Sequence, residues 1–363
     1  MALAMGIGRF AFTPVLPMML EEGRLDLPRA GLLASANYAG YLVGALSAIS
    51  LRLRPVTAIR TGLLVMAVST LAMAFTAHFP AWVALRTLAG VASAWVLVFV
   101  SASVLERLAR AGRAELGGTV YAGVGVGIIA AGGACLALMA LRASSSAAWA
   151  WLGGASVALT LLLWKMLDAE PAAAAPLPAS GAAALPRAEL ARLVLSYGAF
   201  GFAYIIPATF LPVMAKETIG SPELFGLAWP VFGAAAAAST LGAAPLARPL
   251  GYRGVWIGAS LVMAFGVVSP LLIAGLPGIL AAALCVGSTF VVITMAGLQE
   301  ARRLAGSRAR VLIAGMTAAF ALGQIAGPLA ASALVQWSGG FTPALLFAAA
   351  LLAASAMALS IRP

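Results

Sequence analysis

Of the 363 residues 63% are hydrophobic and only 9% are charged, and the mean hydropathy is +1.04. A soluble globule of this length needs more polar surface than that composition supplies. The net charge of +11 comes from 22 basic against 11 acidic residues; the basic ones fall between long apolar runs, which points to membrane orientation and anionic-lipid contact and away from nucleic-acid binding.

A helix needs about 20 apolar residues to cross a hydrocarbon core. Taken in chain order, the runs at 1–20, 30–50, 56–76, 80–105, 116–141 and 147–167 give six predicted spans. The first opens MALAMGIGRF, without a basic leader or a small-residue cleavage site, and is expected to be retained as a helix. After the sixth, residues 168–189 hold Pro171, Pro176, Pro178 and Pro186, which predicts a semi-extended linker. Six more spans follow at 190–214, 223–246, 254–275, 277–299, 311–335 and 341–361. Long Ala/Leu/Gly-rich runs without alternation exclude a closed barrel, so the class is an all-α integral membrane protein. Cys135 and Cys285 fall mid-span as small hydrophobes, so no disulfide, metal site or cofactor is expected.

With the N-terminus inside, sixteen of the 22 basic residues fall in inside gaps, and only Arg24, Arg29, Arg142 and Lys216 fall outside. Both termini are therefore expected in the cytoplasm. The high ratio of Arg to Lys, with abundant Ala, Gly and Pro, suggests a high-GC bacterium and thus a bacterial inner membrane.

The halves repeat. Phe10-Ala11-Phe12-Thr13-Pro14 with Leu16-Pro17 in span one returns as Phe202-Ala203-Tyr204, Pro207 and Leu211-Pro212 in span seven. Duplicated halves with Pro-containing first helices place a binding site between them. The strings GIGRFAFTPVLP at 6–17 and LLASANYAGYLVGAL at 32–46, together with Arg86-Thr-Leu-Ala-Gly90, resemble the major facilitator superfamily over the whole length. The resemblance implies twelve helices in two pseudo-symmetric six-helix bundles, 1–167 and 190–363, joined by the linker 168–189. It also implies a role for Arg86 and Gly90 in coupling or gating, with a helix-packing role for Arg86 as the alternative. The glycines from Gly123 to Gly133 resemble the antiporter-type helix-five motif but lack its central Gly-Pro.

All eleven acidic residues fall in gaps or at span ends, leaving Arg9 and Arg86 as the charges inside spans. A mid-membrane Arg costs about 2.5–3.5 kcal/mol and needs a partner. With no acid at that depth, carbonyls, water or a bound anion are the expected partners. A rise of about 1.5 Å per residue puts Arg9 about 12 Å in, near the midplane, where its planar fork suits a carboxylate or phosphate. Arg86, nearer the outer end of its span, is expected to be partly relieved by water. Thr13, Asn37, Tyr38, Tyr41, Tyr204, Thr294 and Gln324 are the further candidate substrate contacts; each could equally fasten helices. Glu300, at the inner end of span ten, is the candidate coupling acid. Glycines such as Gly40, Gly44 and Gly90 are expected to be close-packing surfaces.

The reading is a monomeric secondary or facilitative transporter working by alternating access on a small organic solute, with an anion as the candidate and a proton as the candidate co-substrate. It is not read as an enzyme, and without a phosphate-binding loop it is not read as a pump. Efflux of amphipathic compounds through an apolar, aromatic-containing cavity, with Arg9 structural, is the rival mechanism. A membrane sensor or scaffold is the rival class.

Overall fold

The computed structural model describes residues 1–50, 53–113, 116–164, 166, 186–219, 226–305 and 309–361; most of the expected linker lies outside them. All regular structure among these residues is helical. The first span, α1, runs Ala2–Glu21 and joins a π-helical segment, Ala2–Ile7, to an α-helix, Phe12–Glu21. Then follow α2 (Leu27–Ser50), α3 (Pro55–Ala72), α4 (Phe79–Arg110), α5 (Gly117–Ala140), α6 (Ser145–Leu163) and α7 (Arg187–Thr218). Helical structure continues unbroken over Ala228–Leu272 except at Gly251, where φ 68° and ψ 162° divide it into α8 (228–250) and α9 (252–272). The chain ends with α10 (Leu276–Ala305), α11 (Ala309–Ser338) and α12 (Thr342–Ser360).

The expected gap between spans eight and nine is thus a reversal at one glycine, since only a residue without Cβ takes that left-handed φ without strain. Span seven also begins earlier than expected, at Arg187, so 187–189 belong to the helix and not to the linker. Among the described residues ten helices are long and apolar enough to cross a membrane, and large side chains such as Leu162, Leu195 and Leu322 face outward, as contact with lipid requires.

The two halves meet along matched pairs of helices. Gly31 of α2 packs on Pro328 and Ser332 of α11, and Gly125 of α5 packs on Gly233 and Ala237 of α8. Exchanging the halves maps one pair onto the other, the pseudo-symmetry expected of a duplicated chain. Small residues carry these seams because in lipid helices associate through close backbone approach. Five hydrogen bonds join described residues of opposite halves, and all lie at Arg9 or on its Glu21 side. At that extremity the Lys216 ammonium meets the Glu21 carboxylate at 2.6 Å.

Candidate substrate site

The site is built on a defect in α1. Gly8 N–H donates to Leu3 O at 2.9 Å and Phe10 N–H to Met5 O at 3.3 Å, so the chain is wound five residues back before the α-helix begins at Phe12. Such a π turn breaks the regular ladder and exposes carbonyls to other donors. The Arg86 guanidinium donates to Gly8 O at 3.2 Å and to Arg9 O at 3.0 Å, and Asn37 Nδ2 donates to Gly8 O at 3.4 Å and to Arg86 O at 2.9 Å. A side chain at Gly8 would collide with Met66 and Ser93, which is why the defect contains a glycine. Arg86 is 2% exposed, so the expected relief by water is wrong; carbonyls from the opened turn take that role.

The defect turns Arg9 into the space between the halves. Its Nη2 donates to Oε1 of Gln324 in α11 at 2.6 Å, and Gln324 Nε2 donates in turn to the Tyr204 hydroxyl in α7. The Tyr41 ring covers the guanidinium at 4.0 Å, with Tyr38 and Phe10 each at 5.4 Å. Arg9 is 3% exposed and its Nε has no hydrogen-bond partner. Of the expected partners for Arg9, carbonyls, water or an anion, the structure supplies a carbonyl, that of the neutral Gln324 amide, together with aromatic faces. These attract a cation without neutralising it.

The other expected residues divide. Tyr38 hydroxyl lies 3.3 Å from Thr209 Oγ1 across the halves. Thr13 Oγ1 donates to Ala208 O at 2.8 Å, the carbonyl that Pro212 leaves without its helical donor. Its hydroxyl therefore completes α7 and is not free for a solute. Thr294 bonds back to Phe290 O at 2.9 Å and is half-buried. Gly90 packs on the backbone of Asn37 and Tyr41, a seam between α2 and α4. Glu300 is buried but far along α10 from Arg9, held by Arg303 at 2.7 Å.

Sequence reasoning expected aromatic side chains in the cavity and named Tyr204, but missed the other rings that surround it in an aromatic wall. Tyr204 stacks on Phe290 and Phe320, each at 5.7 Å, and Phe10 meets Trp229 edge-on at 6.1 Å. Tyr197, Phe200 and Tyr204 share one face of α7 at helical spacing, which was a usable signal.

A family model described as "Uncharacterised MFS-type transporter YbfB" matches residues 1–360. No curated protein matches the chain. Among solved structures, the crystal structure of a D-xylose-proton symporter superposes with a TM-score of 0.76 at 13% identity, covering 99% of this chain and 94% of that one. That likeness is one of fold.

Proposed function

We propose a function from the premise that the chain belongs to the family of YbfB-type MFS transporters and is a membrane transporter of the major facilitator fold. It moves a small organic anion by alternating access, with Arg9 as the anion's seat. One observation carries this reading: a guanidinium buried between the halves, with a neutral acceptor on one nitrogen and none on Nε. A buried cation without a carboxylate leaves its desolvation uncompensated until an anion arrives.

The membrane is a bacterial inner membrane and the end bearing Arg54, Arg60, Arg107 and Arg113 faces the cytoplasm, a reading supported by the bias of basic residues. Glu189 and Glu300 are already paired with Arg192, Arg253 and Arg303 near the Arg107 end, which supports a solute carrying its own charge over a proton carried by an acid beside Arg9.

Thermal-shift binding across carboxylates, sugars, amino acids and cationic dyes tests the reading. Arg9→Gln is expected to weaken carboxylate binding at least tenfold and Arg9→Lys by less, since Lys keeps charge but loses the fork. Carboxylate affinity unchanged in Arg9→Gln overturns it. The aromatic wall favours a second reading, efflux of amphipathic compounds, under which dyes bind and Arg9→Gln leaves their affinity unaltered.

A further inference from the structure

Gln324 sits where an anion would have to bind. Nε and Nη2 form one edge of the Arg9 guanidinium, the edge on which a carboxylate places two parallel hydrogen bonds. On that edge Nε has no partner, while Nη2 is held at 2.6 Å by the amide oxygen of a residue from the opposite half.

We propose that Gln324 is a latch displaced by the substrate: its amide oxygen ties α1 to α11, and an incoming carboxylate or phosphate oxygen takes its place on Nη2, freeing the halves to separate. This rests on the reading of Arg9 as the anion's seat. An ionised acceptor bonds a guanidinium about twice as strongly as a neutral one, so the exchange favours the anion. Gln324 is not stranded by it, because its Nε2 keeps the Tyr204 hydroxyl as acceptor.

The exchange also supplies what coupling requires. A ligand shifts a conformational equilibrium only by its difference in affinity between the two states. Gln324 competes for Arg9 only when α11 lies against α1, so the anion binds more weakly in the state closed at the Glu21 end. Binding therefore drives that end open. Gln324 is accordingly a positioning residue that sets both affinity and coupling.

The test uses full-length protein in lipid nanodiscs with benzoate, lactate and inorganic phosphate as probes. Cys135 and Cys285 are replaced by Ala, and spin labels are placed at Arg29 and Trp337, both exposed at the Glu21 end of α2 and α11. Gln324→Ala is expected to bind a probe about tenfold more tightly, the effect of removing one hydrogen-bonding competitor from a charged group. Its label distance should already be long without probe and change little on adding one. Gln324→Glu should supply a permanent anion, abolish probe binding and hold the distance short. A probe that binds wild type but gains nothing in Gln324→Ala, or label distances alike in wild type and Gln324→Ala without probe, overturns the latch alone. Failure of all three probes to bind wild type and Gln324→Ala overturns the anion reading and the latch with it.

Discussion

At the residue scale the sequence separates the two arginines by depth, Arg9 near the midplane and Arg86 nearer the outer end of its span, and their surroundings separate them further. Arg86 has both terminal nitrogens on carbonyls of Gly8 and Arg9, which the π turn has removed from the helical ladder. Arg9 reaches away from that turn to the opposite half. Stability should therefore depend on Arg86 and ligand affinity on Arg9. Arg86→Lys replaces a planar fork by one ammonium that cannot serve two carbonyls in the same geometry. Gly8 O keeps the Asn37 amide as a donor, so the loss falls on Arg9 O, and a buried carbonyl left without a donor costs about 1–3 kcal/mol. Melting of the purified protein is expected to fall by several degrees in Arg86→Lys and to stay nearly unchanged in Arg9→Gln. Equal melting temperatures for wild type and Arg86→Lys would remove the bracing role. Both arginines were legible as interior charges because an ionised side chain in an apolar run is conspicuous. An anion seat at Arg9 and a packing role at Arg86 were among the readings the sequence left open; the particular atoms that Arg86 braces were not legible, since they depend on which carbonyls the winding of α1 sets free.

At the element scale, the defect in α1 lies where the chain has glycine rather than where it has proline. The α-helix continues through Pro17, and α7 runs unbroken through Pro207 and Pro212. A proline deprives a carbonyl of its donor, but a neighbouring helix can repair that, as Thr13 does for Ala208. Gly6 instead lets α1 press its backbone against Gly127 of α5, and an added Cβ at Gly127 would strike Ala2 and Gly6. Gly133, six residues on, has nothing within 4 Å of such an atom. Gly127→Ala is thus expected to cost about 1–3 kcal/mol through overpacking, seen as a lower yield of monodisperse protein and a lower melting temperature. Gly133→Ala should match wild type. Equal behaviour of the two variants would mean that α1 is not fixed by this contact. Gly40, Gly44 and Gly90, expected from the sequence as close-packing positions, do lie against neighbouring backbone, and the spans themselves followed from apolar length alone. Sequence could not separate Gly127 from Gly133, because a glycine run does not state which face its partner helix takes.

At the scale of the whole molecule, alternating access requires two arrangements of the halves close enough in energy to interconvert, so the ties at each end must be weak. The Glu21–Lys216 pair meets that requirement: Glu21 is 71% exposed on its side chain, and exposed ion pairs contribute only about 0–1 kcal/mol. Beneath it the α2–α11 seam is held by Ser35 Oγ donating to Ile325 O at 2.8 Å, a bond that parts when the halves separate. Removing the pair should move the equilibrium by a few-fold at most, without unfolding either half. A single cysteine at Ser35, in a background with Cys135 and Cys285 replaced, reports this as its rate of labelling by a membrane-impermeant thiol reagent. Glu21→Gln is expected to raise that rate about two- to fivefold. Exchanging the charges, Glu21→Lys with Lys216→Glu, should restore the slow rate because the attraction depends on opposite sign and not on which helix carries it. If the single variant labels at the wild-type rate, the pair does not hold the seam shut. If the exchanged pair stays fast, something other than charge attraction accounts for the closure at this end.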